Sequence, residues 1–580
     1  MGDFDLVIRR GTVVDGSGVQ PREADVAIVG GCIAEVGRVN GSGREEIDAK
    51  GLLVTPGFVD IHTHYDGQVT WENTLAPSSV HGVTTVLMGN CGVGFAPTLA
   101  TEREALIDLM SGVEDIPEAT LTAGIPFDWE TFPEFLDSLE RRHADVNFAT
   151  QVPHGPVRLY VMGKRGAARE PATADDMARM AKIVRDGVAA GALGFTTHRS
   201  GAQRTKKGEI PPHETASEGE LRTIVMALKD LGRGVIQGAD DWADTHEEFS
   251  TELDMWSRLV RASGRPYSFA LTQRTAQPEL WRWLLEHVTN ANREGIVIRG
   301  QVYPRPPGML LGLDLSHHPF SACPTYKSDL AALPLERRVE EMRKPEVKRR
   351  LLAEDPDRSD RSSARETTWS RKIENMYELG DPPDYSPSRE LKLTERAERM
   401  GLSPLELAYD LLVKDEGQTV LFFPINNFVA GTLDDALVML KHPHTVLGIG
   451  DGGAHVGYIC DASYPTHILT YWTRDRQGER LPLETAVKML SNDTAKAVGL
   501  EDRGLIKRGY RADLNIIDYG KLTLHAPSAI FDLPAGGRRL RQPADGYAAT
   551  IVNGVITYRD GKSTLTYPGR LIRGPQPSPN

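Results

Sequence analysis

The sequence predicts an α/β protein: a TIM-like (β/α)8 barrel joined to a small β-sandwich domain that is built from both chain ends. Three observations predict it, namely a β-rich beginning, a β-rich end, and a long middle region in which strand-like and helix-like segments alternate. The chain has 580 residues, of which 40% are hydrophobic, so it can bury a core of this size.

The two ends of the chain share one pattern, in which short β-branched runs are separated by turn pairs. Near the beginning, Asp25 to Val29 is followed by Gly30 and Gly31, and near the end, Ala549 to Val552 is followed by Asn553 and Gly554. Such runs predict hairpin strands. A piece of about 55 residues is too small to close a sandwich alone. We therefore expect residues 1–55 and 505–580 to form one small β domain.

The middle region, residues 56–504, has the rhythm of a barrel. Apolar strand-like runs such as Val83 to Met88 and Tyr267 to Leu271 alternate with helical stretches such as Asp175 to Ala190. Repeated β then α segments predict a parallel sheet. Residues 326–399 break this rhythm and read as a charged helical insertion, which covers the catalytic face, forms an oligomer surface, or is a solvated excursion.

Charge and composition exclude several classes of function. The net charge of −13 disfavours a nucleic-acid groove, which needs a concentrated basic face. The sequence contains no run of about 20 apolar residues, so no membrane span is expected. The acidic N-terminal segment does not resemble a signal peptide. The four cysteines are widely spaced and do not suggest a disulfide framework. We expect a cytoplasmic protein with no nucleic-acid or membrane partner, and a homo-oligomer is compatible with the sequence.

The first candidate for chemistry is the pair His62 and His64, which follows the apolar run Gly57 to Val59. Residues two apart in a strand point to the same side, so both imidazoles would project into the barrel mouth, where active sites of this fold lie. Two imidazoles make half of a metal site. Taken alone, the pair fits two histidines of the core or of a loop equally well.

The surrounding motifs resemble a known family. The segment Gly51 to His64 resembles the first barrel strand of the amidohydrolase superfamily, whose members use its two histidines as metal ligands. The segment Gly82 to Gly92 resembles the second-strand motif of the D-aminoacylase (N-acyl-D-amino-acid deacylase) branch, and this implies that Cys91 is a metal ligand.

The segment Gly450 to His455 is similar to the last-strand aspartate motif of the superfamily. The resemblance implies that Asp451 takes a proton from the attacking water, passes it to the leaving group, and helps to hold the metal. With Gly504 to Leu514, which resembles the return into the β domain, the similarity spans nearly the whole chain.

Two departures from the branch affect the metal site. D-aminoacylases carry one histidine on the fifth strand and another on the sixth, but Val235 to Asp241 and Ser268 to Arg274 contain none. The resemblance therefore leaves His62, His64, Cys91 and Asp451 to hold one or two zinc ions, which imidazole, thiolate and carboxylate all accept as ligands.

Other polar residues at predicted strand ends are candidates for substrate binding. His198 could replace a lost imidazole, or contact substrate or a neighbouring loop, and Gln237 and Gln273 could position water or substrate. Arginine suits a substrate carboxylate, and Tyr303 and His455 could donate to the developing oxyanion, His455 being the better placed beside Asp451. The arginine candidates, each of which equally fits an ordinary loop or surface residue, are Arg274, Arg199 and Arg305.

The resemblance implies a zinc-dependent amidohydrolase that cleaves the amide bond of an N-acyl, by resemblance D-, amino acid or a related acylated amine. Its partner would be that small molecule. Two alternatives stay open at this point. One is a cyclic amide hydrolase or deaminase on the same scaffold, and the other is a non-catalytic metabolite-binding barrel, favoured by the two absent histidines.

Overall fold

The structure is a computed structural model, and it describes residues 2–199, 201, 203–239, 246–361 and 363–579. Asp240 and Asp241, which belong to the segment compared with the fifth-strand histidine motif, lie outside the described residues. The architecture is mixed α/β, so the predicted class is confirmed.

The chain begins with strands whose apolar side chains are buried. In the first of them, Leu6, Ile8 and Val13 contribute to a buried apolar cluster with Val26 and Ile28 of the second. These strands are β1 (Phe4–Val13), β2 (Arg22–Val29), β3 (Cys32–Gly37), β4 (Gly43–Asp48) and β5 (Leu53–Pro56).

The middle region supplies two parallel sheets, in the orders β6-β7-β8 and β9-β10-β11-β12-β13-β17. A parallel bridge between Thr63 and Gly452 links the residue runs that follow β6 and β17. A smaller antiparallel sheet has the order β14-β16-β15. The strands are β6 (Phe58–Asp60), β7 (Val83–Met88), β8 (Asn147–Thr150), β9 (Val152–Pro153), β10 (Gly194–His198), β11 (Val235–Ala239), β12 (Tyr267–Leu271), β13 (Ile298–Val302), β14 (Gly308–Leu311), β15 (Tyr377–Glu378), β16 (Leu421–Pro424) and β17 (Thr445–Leu447).

The C-terminal strands return to the N-terminal ones. Strand β18 pairs antiparallel with β5, with Ile516 opposite Val54, and the combined sheet has the order β25-β24-β23-β18-β5-β1-β2-β3, with β4 on β1. The strands are β18 (Leu514–Ile517), β19 (Thr523–Leu524), β20 (Ser528–Leu533), β21 (Gly537–Arg541), β22 (Ala544–Asp545), β23 (Tyr547–Val552), β24 (Val555–Arg559) and β25 (Lys562–Ser563).

Helices cover the parallel strands with apolar faces. Helix α7 shows the local logic: Thr173 and Asp176 form a capping box at its start, and Met180, Val184 and Val188, four residues apart, are fully buried. The helices before β13 are α1 (Gln68–Trp71), α2 (Arg103–Val113), α3 (Glu118–Gly124), α4 (Phe132–Glu140), α5 (His154–Met162), α6 (Lys164–Ala167), α7 (Ala174–Ala190), α8 (Glu218–Leu231), α9 (His246–Ser263) and α10 (Leu280–Arg293).

The region that contains residues 326–399 has an apolar core of its own, in which Val339, Met342 and Leu351 pack with Leu393 and Phe423. Among the described helices, none has the length and apolar character needed to cross a membrane. The later helices are α11 (Leu335–Met342), α12 (Pro345–Ala353), α13 (Ala364–Trp369), α14 (Leu393–Met400), α15 (Pro404–Leu412), α16 (Asp434–Leu440), α17 (Tyr464–His467), α18 (Leu483–Lys488) and α19 (Thr494–Ala497).

Candidate metal centre

Three potential metal ligands meet beyond the carboxyl ends of two neighbouring parallel strands. His62 and His64 follow β6, and Cys91 follows β7. One ligand atom from each of these side chains lies within 4.8 Å of the other two, and both histidines are buried. Asp451 reaches the same place from the residue run after β17. The arrangement follows from the fold, because the carboxyl ends of parallel strands meet at one edge.

The separations between the side-chain atoms suit a single small cation. Nε2 of His62 lies 3.2 Å from Sγ of Cys91 and 3.4 Å from Oδ1 of Asp451. Nε2 of His64 lies 3.8 Å from the same oxygen. Ligands about 2.0 to 2.3 Å from a tetrahedral zinc ion are separated from one another by roughly 3.3 to 3.8 Å. The donor set and its spacing therefore fit zinc.

Gln301 of β13 fixes the orientation of the His62 ring. Its Oε1 lies 2.9 Å from Nδ1 of His62, and its Nε2 donates a hydrogen bond of 3.0 Å to Oγ of Ser268. Since an amide oxygen only accepts, Nδ1 carries the proton and the lone pair of Nε2 points at Cys91 and Asp451. This tautomer is the one that a metal ligand needs.

Glu114, which directly follows α2, lies between two histidines of the site. Its Oε1 is 3.4 Å from Nδ1 of His64, and its Oε2 is 3.6 Å from Nε2 of His455. Burial, together with the negative charge of Asp451, raises the pKa of Glu114 well above its usual value. Burial also lowers the pKa of His64. On its other side, Nδ1 of His455 is 3.2 Å from the hydroxyl of Tyr458.

The backbone around the site is strained. Cys91, Ile449, Asp451 and His455 all have positive φ angles, of 54°, 61°, 48° and 47°. Each such residue costs of order 1–3 kcal/mol, and strain of this kind concentrates at functional sites. Hydrogen bonds hold the strained run against the residues that follow β6: the amide of Asp451 donates to the carbonyl of His62 at 2.9 Å, and the amide of His64 donates to the carbonyl of Gly452 at 2.7 Å.

The four side chains open into a cavity of about 470 Å³. His198 lines it from the end of β10, and His455 and Tyr458 line it beside Asp451. The region predicted as an insertion also reaches the cavity, which is lined by its residues Asp357, Asp360, Arg361, Ser363, Arg365, Glu366 and Thr367.

Comparison with known proteins identifies the family. The family model described as "Amidohydrolase family" matches residues 45–558. The chain belongs to the amidohydrolase family. It is 26% identical to a D-aminoacylase of Alcaligenes xylosoxydans xylosoxydans, over 98% of this chain and 97% of the relative. It is 25% identical to an N-acyl-D-aspartate deacylase of the same organism, over 98% and 95%.

A solved D-aminoacylase structure, described by its binuclear metal centre, superposes with a TM-score of 0.63. It is 25% identical, and the match covers 98% of this chain and 100% of the other. These full-length matches confirm the resemblance to the D-aminoacylase-like branch of the amidohydrolase family.

The segments compared with the strand-five and strand-six histidine motifs contain two glutamines, Gln237 and Gln273, that make contacts outside the group of potential metal ligands. Gln237 is buried, contacts Gln151, and donates to the carbonyl of Ile61 at 3.3 Å. Gln273, which follows β12, donates a hydrogen bond to Asp435. Neither belongs to the described group of potential metal ligands.

The three arginines proposed from the sequence to bind a substrate carboxylate, Arg199, Arg274 and Arg305, are not among the described residues that line the cavity. Arg305 is buried, pairs with Asp461 at 3.1 Å, and stacks on Tyr385 at 3.7 Å. Arg199 donates to Glu252 at 2.8 Å.

Arg274 and Tyr303 also lie away from the cavity lining. The guanidinium of Arg274 stacks 5.4 Å from the ring of Phe249. Tyr303 is buried and donates to the carbonyl of Asp461 at 2.7 Å. The structure thus separates these two residues, with Arg305 and Arg199, from the metal centre.

Sequence reasoning missed three residues of the site, Glu114, Gln301 and Arg538. Arg538 of β21 lines the cavity from the C-terminal part of the chain. Only Gln301 has a feature that the sequence could have indicated, because it is a polar residue in a strand that is otherwise largely buried. Glu114 and Arg538 follow no motif.

Proposed function

We propose that this chain is a zinc-dependent hydrolase that cleaves the amide bond of an N-acyl D-amino acid or a related acylated amine. The observation that carries the proposal is the meeting of His62, His64, Cys91 and Asp451 at one cavity. The D-aminoacylase and deacylase relatives supply the substrate class. A homo-oligomeric state and a cytoplasmic location stay predictions.

The proposal includes a closed barrel. Strands β6, β7, β10 to β13 and β17, with β8 and β9 counted as one, make eight parallel strands. The Thr63 and Gly452 bridge, and the hydrogen bond from the amide of Leu193 to the carbonyl of Thr150, join the two sheets. We assign residues 56–504 to this barrel, with residues 326–399 as its insertion, and residues 1–55 and 505–580 to a β-sandwich domain.

The metal-holding residues are His62, His64 and Cys91, with Asp451 alongside. When bound, zinc lowers the pKa of a water molecule toward about 7 and polarises a carbonyl group. Gln301 keeps the ligating nitrogen of His62 unprotonated, as the 2.9 Å contact indicates. Cys91 contributes a thiolate, which restricts the site to cations that accept sulfur.

Asp451 is the proposed proton carrier. Its carboxylate is partly exposed on the cavity, while the two histidines beside it are buried. From this position it takes the proton of the attacking water and delivers it to the nitrogen of the leaving amine. His455 lies beside Asp451, with Nε2 3.6 Å from Glu114 and Nδ1 3.2 Å from the Tyr458 hydroxyl, and its proposed role is to stabilise the oxygen on which charge develops. His198 is the proposed substrate contact from β10.

Arg538 is the proposed partner of the substrate carboxylate. It donates to the carbonyl of Asp314 at 3.1 Å and to Oγ of Ser316 at 2.8 Å, which orients its guanidinium. Its buried Nε has no hydrogen-bond partner among the described residues. Two other cavity cations are already paired, since Lys327 contacts Asp357 at 3.1 Å and Arg365 contacts Glu366 at 3.0 Å. A half-buried guanidinium held by neutral oxygens suits an anionic ligand.

The experiment is a substrate screen of the zinc-loaded protein. N-acetyl derivatives of D- and L-amino acids with acidic and apolar side chains are compared with hydantoin and dihydrouracil. Released amine is measured for the N-acetyl substrates, and the ring-opened N-carbamoyl acid is measured by chromatography for the cyclic amides. The proposal expects zinc-dependent release from D-substrates that is absent in Asp451→Asn. Turnover of the cyclic amides alone, or no turnover after zinc loading, would contradict it.

A further inference from the structure

A second cavity, of about 380 Å³, lies at the opposite edge of the parallel strands. It is lined by the segments 232–235 and 264–266 at the starts of β11 and β12, by Gly295 and Val297 before β13, and by residues 496–499 at the end of α19. Because the metal ligands follow the carboxyl ends of the strands, this cavity faces away from the metal centre.

The charge of this cavity is one-sided. Arg233, Arg265, Arg299 and Lys496 line it, and none of the described lining residues is acidic. The chain as a whole carries a net charge of −13, so the concentration of positive charge is local. The remaining lining is largely glycine and apolar side chains, among them Val260 and Val498. Four cations around one concave surface give it a positive potential, which attracts an anion.

Capping of helices explains part of this charge. Nη2 of Arg233 donates to the carbonyl of Ala189 at 2.8 Å, near the end of α7, and Nε of Arg265 donates to the carbonyl of Gly264 at 3.1 Å. Cations at helix C-termini stabilise the carbonyls there. Each of these arginines still has donors left for a ligand.

Capping does not explain Arg299. It belongs to strand β13, is half-buried, and its guanidinium makes no hydrogen bond or ion pair within the described part of the chain. The acid whose field reaches it, Asp493, is bound by Lys488 at 2.7 Å. A half-buried guanidinium that no protein group pairs keeps its donors available to an anion in the cavity.

We propose that this cavity binds a small organic anion, with its phosphate or carboxylate group on Arg299 and the neighbouring cations and its apolar body on the valine side chains. The volume is in the range of small-molecule sites. A guanidinium fork matches the paired oxygens of either group. The site is separate from the metal centre and does not depend on the proposed hydrolysis.

The test uses the full-length, zinc-loaded protein and isothermal titration calorimetry, with phenyl phosphate and inorganic phosphate as probes. Phenyl phosphate should bind at one site per chain, more tightly than inorganic phosphate because it has an apolar body. Arg299→Gln should weaken the binding of phenyl phosphate at least about tenfold, as expected when a charge-assisted hydrogen bond is lost. Lys496→Gln, an exposed position, should weaken it less.

The matched control is Arg337→Gln, which removes the same charge from an exposed position on α11. It should leave the affinity for phenyl phosphate unchanged. Melting temperatures without probe confirm that the variants fold. Equal affinity of the wild-type protein and both cavity variants would place the anion elsewhere and overturn the proposal, as would the absence of binding at millimolar concentration.

Discussion

Replacing Gln301 by methionine tests the proposed geometry of the metal centre at a residue that touches neither metal nor substrate. The side chain is fully buried, and its Oε1 lies 2.9 Å from Nδ1 of His62. Methionine keeps the volume and removes the acceptor, so the Nδ1 proton loses its partner and the ring loses its preferred tautomer. Loss of such a contact to a metal-ligating histidine lowers metal affinity about 10- to 100-fold, or roughly 1.4 to 2.8 kcal/mol.

The assay is competition for zinc between the protein and a chelating dye at constant pH. Gln273→Met is the matched control, because Gln273 follows the neighbouring strand and contacts Asp435 rather than a candidate ligand. Gln301→Glu should retain most of the affinity, since a carboxylate also accepts from Nδ1. Zinc affinity unchanged in Gln301→Met, or equally reduced in Gln273→Met, would refute the reasoning.

Three further substitutions test other parts of the account. Asp451→Asn should lower kcat by about 10²- to 10⁴-fold, because the amide cannot carry a proton. The zinc content should be retained, because the amide still offers an oxygen ligand. Retained turnover would exclude the proposed role of Asp451 in proton transfer. Arg538→Gln should raise KM about tenfold or more and change kcat less, whereas an unchanged KM would exclude carboxylate binding. Arg158→Met should lower the free energy of unfolding by about 3–5 kcal/mol, because it leaves the buried carboxylate of Glu220 without its arginine partner and with only the 2.8 Å contact to His154. Urea unfolding measures this change, and a decrease below about 1 kcal/mol would contradict the argument.

The part of the site that is predictable from sequence is the part that short motifs encode. His62 and His64 share one strand end, and Cys91 and Asp451 each belong to a compact run of glycines and polar residues. The fold then brings these runs to one edge. Long side chains are less predictable, because a strand-end position does not determine where an arginine points. Arg305 extends to Asp461 instead of the cavity, since a buried guanidinium needs a carboxylate.

For the fold, too, the features that short sequence patterns encode are predictable and those that depend on packing are not. Val83 to Met88 and Tyr267 to Leu271 are strands with the bounds that their apolar runs suggest. The apolar run Ile296 to Ile298 does not mark the bounds of β13, which spans Ile298–Val302, because Arg299 and Gln301 interrupt the apolar pattern of a buried strand. Glu114 shows the limit most clearly, since only the packing of α2 brings it to His64.

The measurement that tests the central claim most directly is the metal content of the purified protein beside His62→Ala and Cys91→Ala. The account predicts about one tightly held zinc ion per chain in the wild-type protein and its loss in both variants, with the fold retained by circular dichroism. A wild-type protein that holds no metal after zinc loading and dialysis, or variants that retain the full zinc content, would contradict it.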